Sequence, residues 1–85
     1  MEKPELYESY VFRALQGRLA ANVKGLRQRA GITQEEAAHR CAMPTRLYVG
    51  IEHGESNATL VTLARLCEGL EVEVEALFAK RLAGN

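Results

Sequence analysis

The chain has 85 residues, 47% of them hydrophobic, and its eleven basic and eleven acidic residues give a formal net charge of zero. That suffices for one small domain with a modest core, and the ordinary apolar content excludes a disordered polyelectrolyte. No apolar run approaches the length of a membrane span, and residues 1–17 carry three glutamates and no apolar signal core, so a cytoplasmic location is expected.

The first six residues are polar, contain Pro4, and read as a frayed end. From Glu5 onward Tyr7, Val11, Ala14, Leu15 and Leu19 recur near helical spacing, which predicts an amphipathic helix. Gly17 is a place where it bends or breaks. The apolar stripe resumes through Ala20, Val23 and Leu26, and Arg29-Ala30-Gly31 supplies a cationic last turn and a glycine for a left-handed cap.

The stretch from Thr33 to Glu52, TQEEAAHRCAMPTRLYVGIE, reads as two short helices joined by a tight turn. Thr33 with Glu36 three residues on has the form of a capping box. Ala37, Ala38 and Cys41 are small and fall at helical spacing, so a second helix can cross closely over them. Pro44 stops the first of the pair, because the residue before a proline avoids the helical region. Thr45 opens the second, with Tyr48, Ile51 and Glu52 one and two turns later. This is the arrangement in which a helix-turn-helix presents its second helix to a groove.

His53 to Ala58 is a polar loop, with Gly54 placed to end the preceding helix. Thr59 is a candidate cap for a fourth helix whose apolar face would comprise Leu60, Leu63, Ala64, Leu66, Cys67 and Leu70, with Gly69 a cost to helix propensity. After a short connection a last helix carries Val74, Leu77, Phe78 and Leu82. Alternation in LEVEVEALF is too brief to support a strand. The expectation is an all-α domain.

Charge is uneven along the chain. Residues 13–46 hold Arg13, Arg18, Lys24, Arg27, Arg29, Arg40 and Arg46 against Glu35 and Glu36, a net of +5, while residues 1–12 carry −2 and residues 47–85 carry −3. A basic front half between acidic ends suits a domain with one face turned to phosphate, and a solvated surface of scattered charges is the plainer alternative. Cys41 and Cys67 fall in different helices without ligand spacing, and His39 and His53 are isolated. Neither a disulfide, a metal site, a cofactor nor a catalytic set is expected.

With the helices in place, the chain resembles the λ repressor/Cro-like, or Xre-like, helix-turn-helix family over roughly residues 18–78. The resemblance rests on VKGLRQRAGITQEEAA at 23–38 and IEHGESNATLVTLARLCEGLEVEVEALF at 51–78, with Leu26-Arg27, Gln34-Glu35-Glu36, Ala38 and Ile51-Glu52-His53-Gly54 in order and at the right spacing. It implies a compact five-helix λ-repressor-like DNA-binding domain with an N-terminal helical extension at 1–17, the helix-turn-helix domain at 18–78 and a tail at 79–85. It also implies an ion pair between Arg27 and Glu52. Contacts to double-stranded DNA would come from Thr33 and Gln34 on phosphate, from Thr45, Arg46, Val49 and Gly50 on the recognition helix, and from Ser56 and Asn57 in the following loop. Arg46 is the strongest candidate for reading a base, since bidentate donation to guanine is the commonest specific contact. Departures from the family pattern are Pro44 where a serine or threonine cap is usual, Gly50 without a side chain, apolar Leu47 and Val49, and Glu55 in the loop.

The function expected from these residues is a DNA-binding transcriptional regulator of repressor, antitoxin or controller type, reading a palindromic operator as a homodimer. Dimer contacts would come from Tyr7, Tyr10 and Val11, from Val72, Val74, Leu77 and Phe78, or from both groups. The alternative is a protein-interaction module that keeps the fold without DNA binding. An enzyme is least expected, since the chain is too short for a deep cleft and its histidines lack partners, and no small-molecule substrate follows from the pattern.

Overall fold

A computed structural model describes residues 9–80, so Tyr7 and Leu82, named above, lie outside the described residues. Within them the order is α1 (Tyr10–Ala30), α2 (Gln34–Arg40), α3 (Thr45–Glu52), α4 (Leu60–Leu70) and α5 (Val74–Phe78), with no strand.

The helix ends follow local chemistry. The Ser9 hydroxyl accepts from the Phe12 N–H at 2.9 Å, so α1 begins at Tyr10 rather than at Glu5. It then runs 21 residues through Gly17 without a break, so residues 10–17 and the stripe from Leu19 to Leu26 lie on one helix. Gly31, at φ 73°, closes it in the left-handed conformation, where the missing Cβ removes the steric penalty. Thr33 caps α2 by accepting from the Glu36 N–H at 3.0 Å, and Thr59 caps α4 by accepting from the Thr62 N–H at 3.2 Å. The reverse half of the box at Thr33 goes elsewhere, because the Glu36 carboxylate accepts from Arg40 Nε at 3.3 Å.

The core is built from Leu19 and Val23 of α1, Ala37, Ala38, Cys41 and Met43 of α2 and its turn, Tyr48 and Ile51 of α3, Leu66 of α4 and Leu77 of α5. Helix α1 packs against α3 and α5, and α2 packs against α3 and α4. A single turn such as α5 has no stability of its own. Its end is held by Asn22, a buried side chain on α1 whose amide donates to the carbonyls of Leu77 at 3.1 Å and Ala79 at 2.8 Å. At the α2–α4 contact Gly69 is required for space. A Cβ there would lie 2.7 Å from both the Arg40 carbonyl oxygen and the Cys41 Cα.

The fourth helix differs from its expected face. Leu60 is 83% exposed, and Val61 and Ala64 are exposed beside it, while Leu66 is buried and Leu63, Cys67 and Leu70 pack on the core. Helical spacing allows a wide apolar arc, and the neighbouring helices cover only one side of it. Leu77, expected at a dimer contact, is instead fully buried in the core of the monomer, while Val72 and Phe78 are half-buried against that core.

Candidate nucleic-acid interface

Between α2 and α3 the chain reverses within four residues. Cys41 ends α2, Ala42 takes a left-handed φ of 55°, Met43 turns inward, and Pro44 stands at the N-cap of α3. Two backbone bonds close the turn, from the Ala42 N–H to His39 O at 3.0 Å and from the Met43 N–H to Ala38 O at 3.0 Å. Helix α4 adds a brace, Arg65 Nη1 donating to the Ala42 carbonyl at 3.1 Å. Thr45 is thus the first helical residue rather than the cap, and no side chain caps α3. Its first N–H groups have no side-chain cap and lie among exposed residues, which suits an anionic partner at that end.

Residue type splits α3 into two faces. Tyr48, Ile51 and Glu52 are buried, whereas Thr45, Arg46 and Leu47 are exposed, with Val49 and Gly50 half-buried at the margin. Tyr48 is the largest side chain wholly inside, and its hydroxyl has no hydrogen-bond partner. Burial, followed by the neighbouring Glu52 carboxylate, raises the pKa of that phenol and keeps it neutral. Helix α3 is therefore fixed by packing and is not free to roll.

A polar lock completes the fixing. Arg27 Nε donates to Glu52 Oε2 at 2.6 Å and Arg27 Nη2 to Glu52 Oε1 at 3.2 Å, the ion pair that the family resemblance implied. Arg27 Nη1 also donates to the Ile32 carbonyl at 3.0 Å, tying the end of α1 to the entry of α2. Gln34 Nε2 donates to Glu52 Oε1 at 3.1 Å, so the amide expected on a phosphate is engaged within the scaffold. Burial opposes ionisation of Glu52, but the hydrogen bonds from Arg27 and Gln34 outweigh it and hold the carboxyl below the ordinary glutamate range. One carboxylate on α3 thereby fastens residues from α1 and α2.

Thr33 is exposed but spends its hydroxyl on the α2 cap. In the loop after α3, Asn57 is exposed and Ser56 half-buried, and the Ser56 carbonyl accepts from Gln16 Nε2 at 3.1 Å. That bond anchors the loop to α1, and it joins residues 40 positions apart, so no local pattern signals it. Among the proposed dimer residues Tyr10 is 86% exposed, and Val11 and Val74 are also exposed. Leu60, which helical spacing had placed on the apolar face of α4, and Val61 join them as exposed apolar residues.

Among the described residues no group of three or more histidines, cysteines, aspartates or glutamates is placed to hold a metal ion, and no helix is long and apolar enough to cross a membrane. Burial pushes the Cys41 thiol up to about 11, which makes it an inert core residue.

A family described as a helix-turn-helix domain matches residues 18–79. No curated protein matches the chain. Among solved structures the fold is similar to that of a tyrosine-to-phenylalanine mutant of the restriction-modification controller protein C.Esp1396I, at 29% identity and a TM-score of 0.70, over 85% of this chain and 86% of the other. Both likenesses support a DNA-binding regulator, and both extend over the α2–turn–α3 unit and the helices that lock it. The chain belongs to the helix-turn-helix domain family, in its λ repressor/Cro-like form.

Proposed function

We propose that this protein is a sequence-specific transcriptional regulator that binds a palindromic operator as a homodimer, with α3 in the major groove. The observation that carries the reading is the division of α3. Its inner face is locked by Tyr48, Ile51 and the Arg27–Glu52–Gln34 network, while Thr45 and Arg46 stand exposed at an N-terminus that no side chain caps. A helix held this way keeps its orientation when it meets DNA, and residues at its N-terminal end are those that reach base edges.

Arg46 is the base-reading residue, and Thr45, Val49 and Gly50 line the same approach. Apolar Leu47 and Val49 suit contact with thymine methyl groups. Thr33, Gln34, Ser56 and Asn57 flank the helix as phosphate contacts, Gln34 through the first N–H groups of α2 rather than its engaged amide. One recognition helix of eight residues buries too little for high selectivity, and two related by a twofold axis solve this by reading half-sites about 34–36 Å apart. The exposed Leu60, Val61 and Val74 favour a dimer face on α4 and α5, with Tyr10 and Val11 as the other apolar surface.

A role as a protein-interaction module is the second reading, favoured by one observation: Leu47 is exposed at the middle of the face offered to DNA. Replacing Arg46 separates the two. Arg46→Ala should cost about 1–3 kcal/mol on the preferred operator and relax preference at one base pair, read by fluorescence anisotropy on an operator series. Equal weakening on every sequence places Arg46 on phosphate, and no effect on any DNA removes it from the interface.

A further inference from the structure

Helix α1 does not close fully against the rest of the domain. A groove of about 240 Å³ remains between its first half, the loop after α3, α4 and α5. Its walls are Phe12, Leu15 and Leu19 of α1, Leu63 of α4 and Phe78 of α5. Among the described lining residues the polar side chains are Gln16, Ser56 and Asn57, and none carries a charge.

We propose that this groove is a binding site for a neutral, ring-bearing small molecule with a single polar group, and that its occupancy steadies the loop carrying Ser56 and Asn57. Size comes first. A closed apolar cavity of about 150 Å³ accepts benzene, and drug-sized sites begin near 300 Å³, so a space between them suits one or two fused rings. Charge comes second. Against the neutral side chains of the described lining, an ionic ligand would lose its hydration and gain no counter-charge, whereas two phenyl rings and aliphatic walls favour a flat apolar body. Position comes third. The groove's polar edge is the loop that Gln16 holds through the Ser56 carbonyl at 3.1 Å. A molecule seated there touches both the anchor and the loop, so it stabilises the loop geometry that admits it. The consequence for DNA affinity rests on the assignment of Ser56 and Asn57 to phosphate, but the site itself does not.

Indole, a neutral fused ring with one N–H donor, is the probe. Titrated into the ¹⁵N-labelled full chain, it should give saturable amide shifts centred on Phe12 to Leu19, Ser56 to Ala58 and Phe78. It should also slow amide exchange at Ser56 to Ala58 severalfold. Leu15 is 40% exposed, so Leu15→Glu should leave the circular dichroism and melting temperature of the free protein unchanged while weakening indole at least tenfold. Shifts centred elsewhere, a response that never saturates, or undiminished binding by Leu15→Glu overturns the site. Saturable binding with unchanged exchange in the loop overturns the coupling. Neither readout uses DNA, so failure of the regulator reading would show separately, as absent DNA binding by a protein that still takes up indole.

Discussion

Gly69 sits where α2 and α4 come nearest, and it shows how one hydrogen atom can decide a packing distance. In an exposed helix interior, Gly→Ala is worth up to about 1 kcal/mol of stabilisation. Here the added methyl would meet the Arg40 carbonyl and the Cys41 Cα, both at 2.7 Å, and these are backbone atoms that cannot rotate aside. Gly69→Ala should therefore lower stability by about 1–3 kcal/mol, as overpacking does, read from thermal or urea unfolding. An unchanged or raised melting temperature would mean that α2 and α4 are not this close. From sequence, Gly69 was legible only as a weak helix former, because its reason lies 28 positions earlier, at Cys41. Asn22 was illegible in the same way. An asparagine in a helix reads as surface, and only the fold reveals that the carbonyls of Leu77 and Ala79 need its amide. Ala42 and Glu71 adopt positive φ without being glycine, and nothing in their residue type signals it.

The helices are where the sequence was most informative. Thr33 and Thr59 begin helices through their hydroxyls, and Gly31 and Gly54 follow helix ends at positive φ, as their residue types suggest, because capping is a local interaction of three or four residues. Ser9 was missed because apolar spacing begins before it, whereas Thr45 opens α3 directly after Pro44, as read. Which side of α4 is covered was legible only in part, since Leu63, Leu66, Cys67 and Leu70 pack inward as expected while Leu60 and Ala64 are exposed; spacing defines an arc and only neighbouring helices choose within it. The joint between elements carries a pH signature. Glu52 titrates below the ordinary glutamate value of about 4.3 in the folded chain, so the folded state binds its proton less readily than the unfolded state. Its contribution is fully present above that ordinary value and is lost as pH falls through the lowered one. Thermal stability should thus hold from neutrality down to about pH 5 and fall steeply below about pH 4. Glu52→Gln should be less stable at neutral pH and lose much of that acid limb, as measured by melting temperature against pH. A parallel pH profile in the variant would place the acid sensitivity elsewhere.

At the scale of the molecule, the helices divide the surface into regions with different partners. In the proposed reading the exposed ends of α2 and α3 meet DNA, Leu60, Val61 and Val74, all exposed, meet a second copy, and the groove beside Phe12 and Phe78 takes a small ligand. Leu60 touches little of its own chain at 83% exposure, so Leu60→Glu should preserve the monomer fold while shifting sedimentation equilibrium from dimer toward monomer. A dimer unaffected by Leu60→Glu would move the interface to Tyr10 and Val11. The zero net charge of the whole chain is compatible with DNA binding only if the cations act locally, as the block from Arg13 to Arg46 suggests. That makes salt the most direct test of the central claim. Anisotropy of a labelled duplex from upstream of the protein's own coding region should give log affinity falling linearly with log salt, with a slope of about −0.9 for each phosphate neutralised. Absence of binding even at low salt, or an affinity that does not change with salt, would contradict the reading of α3 as a DNA-recognition helix.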